Sequence, residues 1–172
     1  MISFVESSMT FSFSDSDIFQ IEKSPTYLDL QNGTKVCECI VADTSKTHIL
    51  LIEAKSSFSN PKKNIEHFSS NVCDITEKFI NSLLLYYGLL LKRPYKTVSD
   101  LPENLQLSEV ITKKYRIIPV LIINKFEKEW LPPVKEALNN KIKQFSFSKI
   151  LLLEDTQVLT KEMAIKLKIV QE

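Results

Sequence analysis

Apolar and polar positions divide this chain into segments of two kinds, short runs suited to strands and longer periodic stretches suited to helices. Ile49 to Ile52 form an unbroken apolar run that ends in Glu53-Ala54-Lys55, which predicts a buried strand. A second strand-like run, Lys35 to Ala42, precedes it across the polar segment Asp43 to Thr47, so the pair predicts a β-hairpin. Upstream, Phe11 to Phe13 and Ile18 to Ile21 predict short strands, with further turns at the Ser/Asp segment between them and at Asn32-Gly33. Asn60-Pro61 closes this strand region. From Asn64 to Leu91, the three- and four-residue spacing of Phe68, Val72, Ile75, Phe79 and Leu83 predicts one long helix. Its second half, Leu83 to Leu91, is apolar all round, as in a helix that is centrally buried or forms an interface.

Downstream, Lys92 to Gln106, with Pro94 and Pro102, predicts a long loop, read as a connector or a substrate-facing flap. Tyr115 to Asn124 predicts an apolar strand in which Pro119 removes one ladder donor, so an edge or a bulge is expected there. Trp130-Leu-Pro-Pro133 starts a helix that runs to about Gln144, because proline is tolerated in a first turn. Lys149 to Leu153 predicts a last buried strand and Thr160 to Leu167 a short helix. The succession implies an α/β domain spanning residues 1–172, with a mixed β-sheet flanked by helices. The sheet should be antiparallel at the hairpin and parallel later.

Composition narrows the function classes. The 172 residues are 44% hydrophobic and 25% charged, ordinary for one globular domain, and only 2 are Gly, which excludes glycine-rich nucleotide-cradling loops. A net charge of +1 supplies no broad basic field, so any nucleic-acid contact must rest on local clusters. Such clusters occur at Lys62 and Lys63, at Lys92, Arg93 and Lys96, and at Lys113, Lys114 and Arg116. Three Cys without framework spacing predict no disulfides and a cytoplasmic protein. Cys37 and Cys39 alternate onto one strand face, and strand Cys-x-Cys is not zinc-site spacing. The N-terminus lacks the basic start and apolar core of a signal peptide. Leu83 to Leu91 falls far short of the ~20 residues that cross a bilayer, so no membrane contact is expected.

The candidate chemistry lies where the hairpin ends. Side chains alternate along a strand, so Glu53 and Lys55 share a face about 7 Å apart, beside a floor of Ile49 and Leu51. With 21 acidic residues, an acid-x-Lys triplet arises by chance about twice in such a chain, so position rather than occurrence carries the signal. An even-numbered loop, pairing Asp43 with His48 or Thr44 with Thr47, makes partner numbers sum to 91 and sets Glu38 opposite Glu53. Two opposed carboxylates repel unless a cation or proton lies between them. An odd-numbered loop flips the parity and turns Cys37, Cys39 and Asp43 toward Glu53 instead.

Glu38, Glu53-Ala-Lys55 and the strand-turn-strand that carries them resemble the PD-(D/E)xK nuclease superfamily, over residues 35–57. The resemblance implies a restriction-endonuclease-like fold and a Mg²⁺-dependent nuclease (Mn²⁺ substituting), acting on DNA in repair, restriction or phage defence. It assigns Glu38, Glu53 and the backbone carbonyl of Ala54 to the metal, and Lys55 to the attacking water. The chain departs from the pattern in having Glu38 where Asp is usual, without a preceding Pro, and in lacking an amphipathic helix before the first strand. That helix supplies an extra glutamate in many members; Glu6 and Glu22 are the candidates here. Lys78, with Asn81 one turn later, is the candidate for a polar residue from the long helix, against the plainer reading that Lys78 faces solvent. Lys62 and Lys63 are candidates for phosphate contacts.

Two plainer alternatives stand beside the nuclease. Glu53 and Lys55 can be an ordinary surface pair, worth at most about 1 kcal/mol. The chain can also be a noncatalytic nuclease-like partner subunit or nucleic-acid-binding scaffold, with the helix over residues 64–91 as a homodimer or partner interface.

Overall fold

The computed structural model describes residues 1–30, 33–92, 100–106, 108–110, 114–145 and 153–172. The chain opens with an antiparallel hairpin, β1 (Ile2–Glu6) and β2 (Met9–Phe13), that forms a two-stranded sheet of its own. A five-stranded sheet follows, in the order β3 (Ile18–Phe19), β4 (Cys39–Asp43), β5 (His48–Lys55), β6 (Arg116–Ile123) and β7 (Gln157–Thr160). β3, β4 and β5 are antiparallel; β5, β6 and β7 are parallel. The helices described in full are α1 (Pro25–Leu30), α2 (Ile65–Leu90), α3 (Leu131–Lys143) and α4 (Lys161–Lys166).

The sheet separates two apolar layers. Ile40, Ala42, Ile49, Leu51, Leu121 and Ile123 pack against Ile75, Phe79 and Leu83 of α2 and Val134 and Leu138 of α3. Val41, Leu50, Ile52, Val120 and Ile122, the alternate residues, pack against Met9 and Phe11 of the hairpin and Ala164 of α4. Each fully buried Leu, Ile or Phe contributes about 1.5–3 kcal/mol, so both layers are needed to hold β5 and β6 in the centre.

Local signals set the ends of the helices. Asn64 caps α2, its side chain accepting from the His67 amide, and Thr160 caps α4 in the same way through Met163. The prolines Pro132 and Pro133 fall in the first turn of α3, where their missing amides cost nothing. Within the second half of α2, Leu83, Tyr86, Leu89 and Leu90 are buried while Leu84 and Leu91 are 53% and 64% exposed, so the segment is half buried rather than enclosed.

Several expectations are corrected. The first hairpin strand runs from Cys39, not Lys35, because Glu38 and Cys39 both engage Ile52, a bulge-like step that ends regular pairing. That step also separates the two cysteines: Cys37 lies in the α2 layer and Cys39 in the hairpin layer, so they share no face. β6 is central, not an edge. Pro119 is tolerated there because Ile117 and its odd-numbered neighbours direct their backbone groups toward β7, and the pairing on that side shifts by one residue between Ile117↔Leu153 and Val120↔Gln157. Of the strand expected over 149–153, only Leu153 lies within the described residues, as an isolated bridge. Asn32 and residues 93–99 of the expected loop lie outside them; Gly33 is at φ +62°. β1, α1 and β7 were not foreseen, being short and without clear periodicity.

Candidate functional site

The β4–β5 register sums to 91, as the even loop requires, with Asp43 opposite His48 and Cys39 opposite Ile52. Glu53 and Lys55 turn toward the α2 face, at the end of the sheet where β5 and β6 finish. The expected pairing of Glu38 with Glu53 is corrected, because regular pairing ends at Cys39↔Ile52 and the Glu38 amide donates to the Ile52 carbonyl instead. Glu38 joins the cluster through Lys78. Glu53 is fully buried, and its Oε1 accepts from Lys78 Nζ at 2.7 Å, with Lys55 Nζ at 3.4 Å. Glu38 Oε1 lies 3.9 Å from the same Lys78 ammonium. One lysine thus stands between two carboxylates from adjacent strands. The second oxygen of Glu53, Oε2, is buried with no hydrogen-bond partner among the described residues.

Electrostatics at this point are set first by burial. Desolvation raises the Glu53 carboxyl above its ordinary range, and Lys78 and Lys55 pull it back. Glu38 is pushed up to about 8, by burial, then by the charge of Glu53, and further by Glu6 and Glu22, with Lys78 opposing. The Lys78 ammonium, although burial works against it, is held above the usual lysine value by Glu53 and Glu38. The expectation that Lys78 faces solvent is corrected, since only 17% of its side chain is exposed.

Two further elements hold the site in shape. On α2, Ser82 Oγ accepts from the Cys37 amide, Asn81 donates to the Lys35 carbonyl, and Asp74 and Glu77 pair with Lys35. The segment leading to Glu38 is therefore fastened to α2 on either side of Lys78. From the other side comes the tip of the β1–β2 hairpin, where Ser7 and Ser8 both take positive φ (50° and 60°), the backbone of a two-residue hairpin turn. Ser7 Oγ donates to the Ala54 carbonyl at 3.1 Å, and Asn124, just past β6, donates to the Ser7 carbonyl. The Ala54 carbonyl points toward β4 beyond its last paired residue, which leaves it free to accept from Ser7.

Glu6 reaches this end of the molecule from the hairpin tip, and both Glu6 and Glu22 are near enough for their charges to act on Glu38. Lys62 and Lys63 do not join the cluster; they are exposed in a turn capped by the Asn60 side chain. Arg93, Lys96 and Lys113 lie outside the described residues. Ser7, Ser82 and Asn124 were not singled out from sequence, and no local signal distinguishes them from other polar residues at element ends.

Among the described residues, no group of three or more His, Cys, Asp or Glu side chains is arranged to hold a metal ion. The donor chemistry is nevertheless that of a hard divalent cation: two carboxylates, one unpartnered buried carboxylate oxygen and a backbone carbonyl. Those oxygens suit such an ion in kind, and in this structure the Lys78 ammonium answers their charge. Compared with protein-family models, with curated proteins and with solved structures, the chain matches none. Among the described residues no helix is long and apolar enough to cross a membrane.

Proposed function

We propose that this protein is a metal-dependent nuclease of restriction-endonuclease-like design, hydrolysing phosphodiester bonds of nucleic acid, DNA in the first instance, in the cytoplasm. The observation that carries this reading is the meeting of Glu38 and Glu53, from adjacent strands, with Lys55 two residues further along the same face. In this reading Glu38, Glu53 and the Ala54 carbonyl hold Mg²⁺, or Mn²⁺ in its place. When bound, such an ion makes water a better nucleophile at neutral pH and offsets charge on the phosphate. Lys55, 35% exposed at the strand end, orients the attacking water and meets the phosphate as negative charge grows. Ser7 and Asn124 fix the Ala54 carbonyl and the hairpin tip beside it.

A second reading has its own support. Glu53 is fully buried and its charge is already answered by Lys78, as in a nuclease-like subunit that binds a partner or nucleic acid without cutting it. One assay separates the two. Purified protein is incubated with single- and double-stranded DNA and RNA in Mg²⁺ or Mn²⁺, alongside Lys55→Ala, which removes a partly exposed cation and leaves the buried pair intact. Cleavage that needs the metal and disappears in folded Lys55→Ala supports the nuclease. Intact substrates under every condition overturn it in favour of the noncatalytic subunit.

A further inference from the structure

We infer that Lys78 is the resident counter-cation of the Glu38–Glu53 pair, and that a divalent cation enters this site only by displacing the Lys78 ammonium. The inference rests on the metal-site reading above and concerns how that site is loaded. Its geometric basis is a single ammonium 2.7 Å from Glu53 and 3.9 Å from Glu38, the place where neighbouring carboxylates require positive charge. Lys55 does not share this role, because it reaches Glu53 alone and from the solvent side.

The surroundings favour exchange over addition. Glu53 is fully buried, so a second cation reaches its oxygens only if a neighbour moves. The strands cannot give way cheaply, since β5 is paired to β6 along its whole length and to β4 from His48 to Ile52. The hairpin tip is tied to Ala54 and Asn124. Helix α2 is fastened by Lys35, Asn81 and Ser82 on both sides of position 78. What remains free to rotate are the four-carbon stems of Lys55 and Lys78, and of these only Lys78 stands between Glu53 and Glu38. Asp74, which already pairs with Lys35, stands one turn earlier on the same helix face, so the displaced ammonium has a half-exposed carboxylate within i,i+4 reach that it would share with Lys35. Loading is then a swap of one cation for another with no backbone rearrangement, and the metal-free protein carries a latched site.

Two measurements test this. In the first, intact protein is reductively methylated with formaldehyde and borohydride, with and without saturating Mg²⁺ or Ca²⁺, and each lysine is followed by peptide mass mapping. Lys78 should resist labelling without metal and become several-fold more reactive with it, while exposed lysines such as Lys125 and Lys128 stay constant. In the second, Mn²⁺ binding is followed by electron paramagnetic resonance for the native chain and for Lys78→Met, with Lys78→Gln as the alternative if the first variant does not fold. The variant should bind Mn²⁺ about tenfold more tightly, since the competing charge is gone. Metal binding that leaves Lys78 reactivity unchanged, a variant that binds Mn²⁺ no more tightly, or no Mn²⁺ binding by either form would each overturn the inference. The outcome is separate from the nuclease reading: metal that displaces Lys78 without any cleavage refutes only the nuclease, and metal-dependent cleavage with Lys78 still protected refutes only the swap.

Discussion

Two lysines join α2 to the β4–β5 region through pairs of acids, and they differ in almost nothing except depth. Lys35 contacts Asp74 at 2.7 Å and Glu77 at 3.1 Å, with all three side chains about half exposed. Lys78 contacts Glu53 at the same 2.7 Å, yet Glu53 is fully buried and the Lys78 side chain is only 17% exposed. Water screens the first cluster, and exposed pairs of this kind contribute about 1 kcal/mol or less. In the second cluster each charge has lost most of its hydration, so each depends on its partner and removal of either leaves an uncompensated charge. Distance alone would rank the two clusters as equals. Burial makes one a fastening and the other a site.

The largest expected effect is on the buried cluster. Lys78→Met in metal-free buffer at pH 8 should lose about 3–5 kcal/mol of unfolding free energy in urea titrations. A loss no greater than that of Lys35→Ala would erase the contrast between the clusters.

Next in size is the pH dependence. The carboxyls of Glu38, at about 8, and of Glu53, also raised, bind protons more strongly in the folded than in the unfolded chain. The stability they contribute is therefore complete below their unfolded value near 4.5, and it is lost as pH rises toward 8. Metal-free protein should unfold at lower temperature at pH 8.5 than at pH 5.5, and Glu38→Gln should flatten that slope. A stability that instead climbs across this interval would show that the carboxylates are ionised in the fold. Lys35→Ala comes third: it should cost far less than Lys78→Met, and the cost should vanish in 1 M salt, where the screening length is about 3 Å. Salt-independent loss would mean that Lys35 acts through its contacts with α2 rather than its charge.

The smallest effect is expected at the far end of α2. Leu84→Glu replaces a side chain already 53% exposed and should change stability by less than about 0.5 kcal/mol. Light scattering on the native chain and this variant tests the helix as an interface, because a mass that halves on substitution identifies a dimer through this turn.

Much of the architecture was legible in sequence because it is local. The 3.6-residue rhythm of Phe68 to Leu83 predicts α2 to within a residue or two. An even-numbered turn between Asp43 and His48 predicts the register that β4 and β5 adopt, but not the bulge-like step that takes Glu38 off the position opposite Glu53. Pro119 correctly signals a missing donor, but its strand is central rather than at an edge, because a register shift in the neighbouring strand absorbs the defect. The N-terminal hairpin had no such signature. Its five-residue strands turn through two serines, not through the Asn-Gly that usually announces such a turn.

Sequence by itself therefore determined the long helix α2, the helix α3 and the apolar strands β5 and β6, narrowed the hairpin to two parities, and set an acid two residues before a lysine, all consequences of spacing along a few neighbouring residues. Only the tertiary structure decided that Lys78 would stand between Glu38 and Glu53, that Ser7 would hold the Ala54 carbonyl, and that Asn124 would hold Ser7. Those contacts join residues 25, 47 and 117 positions apart. Periodicity carries no information over such separations. They are set by which apolar faces pack together, and the burial that makes Glu53 chemically unusual exists only once α2 and the sheet have closed over it.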